Sequence, residues 1–201
     1  MRIYALSTLL LLFALADKRS NEEMQQLPPV YLQNASFEDQ PQDATVPTDW
    51  HPCNPGTTPD ILPGFWGVDT EPSDGETYVG LITREDGSRE SIGQRLSAPL
   101  KQKECYQMVL DLAHSYTYAG YNKAIKLRVW GGQSLCDKAE LLFQTEFIEN
   151  EDWETFKFKF APQKGDVKYL IFEAFYREND ATRRGNVLID NIQPIKVCPR
   201  A

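Results

Sequence analysis

The run Arg184-Gly185-Asn186-Val187-Leu188-Ile189-Asp190-Asn191-Ile192 carries most of the fold assignment. A Gly-Asn turn signal feeds an apolar, β-branched run, and an Asp-Asn pair interrupts it. A solvated carboxylate has no need of that placement, whereas a carboxylate bound at a sheet margin does. Near the other end sits a second short polar–apolar stretch, Asn34-Ala35-Ser36-Phe37-Glu38. The two read as the closing edges of one β-sandwich, with the chain between them as its body.

Outward from the closing run, the body alternates. Tyr106, Met108, Leu110 and Leu112 alternate with Gln107, Val109, Asp111 and Ala113, the period of a half-buried strand. Ile125, Leu127 and Val129 alternate with Lys126, Arg128 and Trp130, and Gly131-Gly132 ends that strand. Phe156, Phe158 and Phe160 alternate with Thr155, Lys157 and Lys159. Tyr169 to Tyr176 is a continuous apolar run holding Glu173, short enough for a central strand buried on both faces. Thr77–Thr83 and Ser91–Leu96 flank Asp86-Gly87-Ser88 and read as strand, turn, strand, closed by Pro99. Val30–Leu32 and Leu141–Phe143 add two more, and residues 40–63 form a long irregular connection pinned by Trp50 and Cys53. Eight or nine strands and no helix after the opening segment predict an all-β jelly-roll sandwich.

The chain has 201 residues, enough for one such domain. Met1-Arg2, an apolar run to Ala16 and the small-x-small ending Ala14-Leu15-Ala16 predict a secretory signal over 1–16. A flexible lead-in over 17–29 and a single sandwich domain over 30–201 follow. No Cys follows the apolar run, so no lipid anchor is expected, and no later stretch is apolar enough to span a bilayer. A net charge of −8 argues against nucleic acid, whose phosphates demand a basic face. Four Cys in an exported chain predict two disulfides, and three pairings are open. Cys105 opens the middle strand and Cys198 follows the last one. If those strands are antiparallel neighbours these ends meet, which leaves Cys53 for Cys136. The spacings are too wide for a zinc knuckle, and the only two His, His51 and His114, lack the context of a nucleophile. The chain therefore reads as a non-enzyme, secreted or periplasmic, of open oligomeric state.

Several motifs together resemble the galactose-binding-like jelly rolls, carbohydrate-binding modules of the xylan- and glucan-binding families among them. These are Asn34-x-Ser36-Phe37-Glu38, Trp50 about a dozen residues on, Tyr106-x-x-x-x-Asp111-Leu112 and Ile189-Asp190-Asn191-Ile192. In those modules a structural calcium often ties the first strand to the last, which implies Glu38 and Asp190 as ligands here. Asn191 stands where the modules often carry a second Asp, so one formal charge is lost. Trp50, Gly56–Asp60, Tyr78–Leu81, Glu90–Gln94 and Trp130–Gly132 resemble uncharacterised secreted domains of Bacteroidetes, often found before an OmpA-like domain or a sorting tail. That likeness implies a Gram-negative envelope setting. The chain stops at Ala201 with neither appendage, so cell-wall anchoring is not expected.

The resemblance implies a glycan partner. Sugar recognition needs a flat aromatic against a pyranose face and planar polar side chains at its hydroxyls. Trp130 beside Arg128, the loop tyrosines Tyr116, Tyr118 and Tyr121, Tyr176 at the end of the buried run, and Trp66 in the early loop are the candidates. The tyrosine loop is the strongest, because three rings spaced by small residues are not expected to bury from a loop. On this reading Tyr118→Ala abolishes retention on polysaccharide and leaves the melting temperature nearly unchanged. Arg84, Glu85, Arg89 and Glu90 read as a solvated hairpin tip. Glu173 is the carboxylate to watch, either as an acid of raised pKa or facing a groove and paired with Arg. A cell-envelope protein that binds another protein is the alternative, and a glycoside-active enzyme is less favoured.

Overall fold

A computed structural model describes residues 27–177 and 183–199. The expected signal over 1–16 and most of the lead-in lie outside the described residues. Strands form where the sequence alternates. Among the described residues there are twelve: β1 (His51–Pro52), β2 (Asp60–Leu62), β3 (Tyr78–Thr83), β4 (Ser91–Leu100), β5 (Tyr106–Ala113) and β6 (Lys123–Ala124), then β7 (Lys126–Gly132), β8 (Glu140–Gln144), β9 (Glu154–Phe160), β10 (Val167–Phe175), β11 (Gly185–Asp190) and β12 (Lys196–Val197). Eight of them have five residues or more. No helix of the described residues is long and apolar enough to cross a membrane.

The first sheet runs β1-β4-β10-β7-β8, antiparallel throughout. The second runs β12-β5-β11-β3-β2, with β9 also on β5 and β6 parallel to β11. Ile92, Leu127, Val129, Leu170 and Phe172 of the first sheet share one core with Val79, Leu81, Met108, Leu110, Leu112, Val187 and Ile189 of the second. Burying one such side chain stabilises the fold by about 1.5–3 kcal/mol. The molecule is a jelly-roll β-sandwich.

The closing run holds the centre of its sheet. β11 lies between β3 and β5, with Leu188 opposite Gly80 and Ile189 opposite Leu112. That explains its complete burial. Beyond it, Ile192 N donates to Ala35 O at 3.0 Å, and Val30 and Ile195 exchange two bonds of 2.8 Å. The two ends of the domain therefore meet. Both disulfides form as strand adjacency suggested, Cys105–Cys198 and Cys53–Cys136.

Three expectations change. Val30–Leu32 is extended chain with a single bridge to Ile195, not a strand. The 40–63 connection contains β1 and β2, though Trp50 pins it as expected: the ring meets Phe172 edge-on at 5.5 Å, and Nε1 donates to Asn34 O at 3.1 Å. β3 and β4 are no hairpin, because they lie in different sheets and share only the Thr83–Arg89 bridge. A turn signal is local and does not say which sheet receives the next strand. Nor does Pro99 end β4. Pairing with β10 jumps from Arg95–Tyr169 to Leu100–Val167, so the missing N–H falls where the ladder is interrupted.

Candidate functional site

On β10, Leu170, Phe172 and Ala174 face the core, so Ile171, Glu173 and Phe175 face outward. Register places these in rows across the outer face. One row is Ser91–Glu173–Arg128, the next Gly93–Ile171–Trp130, the third Arg95–Tyr169–Gly132. The middle row is roofed. Ile171 has no exposure although it points away from the core. Above it the Cys53–Cys136 bridge joins the segment after β1 to the β7–β8 loop. Gly93 is required there, since a Cβ would lie 2.8 Å from Cys53 Sγ and 3.1 Å from Ile171 Cγ1. We call this crossing the strap.

Beside the strap lies a cleft of about 620 Å³, lined by Glu173, Arg128 and Trp130 from the sheet, Asn54, Pro55 and Lys138 from the strap, and Gly87, Ser88 and Arg89 from the β3–β4 turn. Glu173 is its buried centre. Lys138 Nζ donates to Oε1 at 2.6 Å, Arg89 Nε lies 3.1 Å from the same oxygen, and Trp130 Nε1 donates to Oε2 at 2.8 Å. Burial opposes its charge. The Lys138 hydrogen bond and charge, the Arg89 charge and the indole donor together outweigh burial and hold the pKa below the usual glutamate value. An ionised, ion-paired carboxylate is no proton donor at neutral pH, so the acid role considered for Glu173 is not supported. Arg128 Nε donates to Gln144 Oε1 at 2.7 Å, and its guanidinium stacks 3.3 Å from the Phe175 ring centroid and 5.7 Å from that of Trp130. The result is a concave surface with one indole, fixed fork-shaped donors and an acceptor amide.

Trp130 and Arg128 are thus brought together as sequence reasoning expected, and the tyrosine loop is not with them. It covers the outer face of the second sheet, where Tyr78, Ile82, Ala113 and Leu188 form a smaller core with Leu62, Val68 and Tyr118. Tyr118 is 1% exposed and its hydroxyl donates to Asp60. Gly80 makes the space, since a Cβ there would come 3.1 Å from the Tyr118 ring. Tyr118 is a core residue and not a ligand platform, a correction to the sequence expectation. An apolar sheet face must be covered, and this ring covers it. Tyr121 is half-buried under the Arg184 guanidinium, and Tyr116, 52% exposed, meets His114 edge-on. Trp66, 48% exposed, donates to Asp60 from that same side of the sandwich. Tyr176 lines a second cleft of about 530 Å³ with Gly120, Asn122, Lys123, Arg183 and Arg184, and its hydroxyl accepts from Arg183 Nη1 at 3.0 Å.

Sequence reasoning missed Lys138 and Asn54, whose positions depend on the strap. The tip of the β3–β4 turn is exposed at Glu85, Asp86 and Gly87 as expected, but Glu90 is not solvated. Glu90 is fully buried, and its carboxylate accepts from Arg84 Nη2 at 2.6 Å, Thr58 N at 3.0 Å and Ile82 N at 3.1 Å. Burial raises its pKa despite these donors.

Glu38 and Asp190 both grip the 73–76 turn. Asp190 Oδ2 accepts from Ser73 N at 2.8 Å and Asp74 N at 2.9 Å, and Oδ1 from Asn191 N at 2.6 Å. Burial pushes its pKa up to about 7 against those three donors. Glu38 Oε2 accepts from Glu76 N at 2.9 Å. These oxygens face N–H groups. Among the described residues no group of three or more His, Cys, Asp or Glu stands ready for a metal ion. Calcium at this margin is what the resemblance implies, and it would need roughly six to eight oxygens.

No protein-family model matches the chain, and no curated protein sequence matches it. Solved structures do share its fold. A Stig cyclase from Fischerella sp. TAU, in complex with a pyrrolidinylidene indole, superposes with a TM-score of 0.57 at 14% identity, covering 86% of this chain and 98% of that one. The CBM22-1 xylan-binding domain of Paenibacillus barcinonensis Xyn10C gives 0.52 at 15% identity, covering 83% and 94%. An arabinose-bound α-L-arabinofuranosidase gives 0.57 at 13% identity over 84% of this chain and only 26% of its own length. At such identities the likeness concerns the fold.

Proposed function

We propose that this chain is a non-catalytic binding module that holds a glycan in the strapped cleft. One observation carries the reading: an indole, two guanidinium groups, an ammonium and an amide converge on a single concave surface at the outer face of a jelly roll. That lining suits hydroxyl-rich rings better than it suits a protein partner, which favours a broad apolar patch. The jelly-roll fold shared with a xylan-binding domain supports it. Its setting is the periplasm or the cell exterior, in line with the expected signal and the two disulfides, and with the envelope of a Bacteroidetes cell as the resemblance implies. Affinity electrophoresis on a panel of plant and bacterial polysaccharides tests the reading. At least one polysaccharide should retard the native protein, and Trp130→Ala, checked for folding by circular dichroism, should lose the retardation. Equal retardation of a folded Trp130→Ala protein would remove the cleft from the account.

A further inference from the structure

The strap crosses the first sheet between two rows of outward side chains. On one side stands the Glu173 row, inside the cleft; on the other stands the Tyr169 row. Between them the Cys53 sulfur rests on Gly93, and Ile171 has no exposure. The barrier is held at both ends. Cys53 N donates to Ser91 O at 2.8 Å on the β4 side, and the β7–β8 loop packs so closely on Gly132 that a Cβ there would meet Asp137 O at 1.9 Å. Across the top, Lys138 Nζ joins Asn54 Oδ1 at 2.9 Å, so the two halves of the strap are linked by a hydrogen bond as well as by the disulfide. The strap adds two polar side chains to the lining of the cleft, the Asn54 amide and the Lys138 ammonium.

A polysaccharide bound along an open sheet face enters at one side and leaves at the other. Here the path over the sheet is dammed one row beyond Glu173. We propose that the cleft receives the terminal unit of a glycan chain, with that unit stopped against Asn54 and Lys138 and the rest of the chain leading away from the strap. This inference rests on the glycan reading and names which part of the glycan is bound. End recognition makes the number of bound proteins depend on the number of chains and not on their length.

Isothermal titration of the native protein with size-fractionated hydrolysis products, two to eight units long, of whichever polysaccharide retards it tests this directly. The expected result is one protein per chain at every length, with affinity that stops rising after the first few units. Lys138→Ala should weaken all lengths alike, by about tenfold, since one charge-assisted hydrogen bond to the terminal unit is lost. A stoichiometry that climbs with chain length, or a Lys138→Ala effect confined to the longer chains, overturns end recognition while leaving the glycan reading standing. Retardation by no polysaccharide and heat from no oligosaccharide overturns the glycan reading itself. The double variant Cys53→Ser/Cys136→Ser gives a second measure: where it folds, it should bind more than one copy per long chain, and unchanged single occupancy would count against the dam.

Discussion

On the outer face of the first sheet, Cys53 lies over Gly93, tied to Cys136, with a charged cleft around Glu173 beside it. On the outer face of the second, Tyr118, Leu62 and Val68 fill the space over Gly80. Both faces use a glycine to admit their cover, and each holds a buried carboxylate, Glu173 beside the strap and Asp60 against Tyr118. The covers differ in kind. A disulfide is thin and holds loops by a covalent bond, so polar side chains can stand beside it without collapse. The tyrosine cover works by displacing water from apolar surface and therefore has to be continuous. The carboxylates differ accordingly. Asp60, held by neutral donors from Tyr118, Ala44 N and Trp66, has its pKa raised by burial in spite of them. Glu173, equally hidden but flanked by Lys138 and Arg89, has its pKa lowered. At Glu173 the two cations overcome desolvation, and at Asp60 the neutral dipoles do not.

The largest effect should follow from breaking the tyrosine cover. Tyr118→Ala removes a fully buried ring and strips Asp60 of its hydroxyl donor, so urea unfolding should show a loss of about 3–5 kcal/mol. Tyr118→Phe keeps the ring and should cost about 1–3 kcal/mol through the unsatisfied carboxylate alone. Retardation on polysaccharide should persist in Tyr118→Phe. Its loss with the fold intact would move the ligand to the second sheet's face.

Glu173→Gln should come next. The two cations left behind are partly exposed and can turn to water, so about 2 kcal/mol is expected, below the full penalty for breaking a buried pair. The pH dependence fixes the mechanism. Because the folded pKa is lowered, the ionised group's contribution is complete above the unfolded glutamate value of about 4.3 and disappears as pH falls through the folded value. The stability gap between native protein and variant should hold from neutrality to about pH 5 and close in more acidic solution. Asp60 works in the opposite sense: with its pKa raised, the protonated form's contribution is complete below the unfolded value and is lost as pH rises through the folded one. A gap that instead widens on acidification would mean that Glu173 is protonated in the native protein.

Much of this architecture could be read from residue order. The alternations at Tyr106–Leu112 and Phe156–Phe160 became β5 and β9, and Glu173 inside an apolar run marked the cleft. The disulfides followed because strand adjacency places the ends of β5 and β12 side by side. What stayed hidden depended on contacts far apart in sequence. Lys138 is one lysine in a loop until Cys136 is tied to Cys53. The three tyrosines looked too many to bury because alternation reports one face of a strand. The second apolar face of β3 and β11, with Tyr78, Ile82 and Leu188 on it, shows only once the strands are paired. Its one sequence signal was Gly80, a residue without a side chain in the middle of an otherwise bulky strand.

The smallest effect is expected at the edge where the domain closes, and it tests a third way to hold a carboxylate. Asp190 has neither cations nor a phenol, only the N–H groups of Ser73, Asp74 and Asn191, and Glu38 grips the far side of the same turn through Glu76 N. Nearby, Asp111 is satisfied by Ser73 Oγ, Thr155 Oγ1 and Asn191 Nδ2. These donors, together with the Val30–Ile195 pairing, join the opening stretch to the closing one. A metal bound only by the folded state would raise the melting temperature by mass action, and its removal would lower it. Dialysis against a chelator should therefore leave the melting temperature where it was, and added calcium should not raise it. A fall of several degrees on chelation, reversed by calcium and absent in Glu38→Gln, would show that the turn closes around an ion and that the N–H contacts are its substitute.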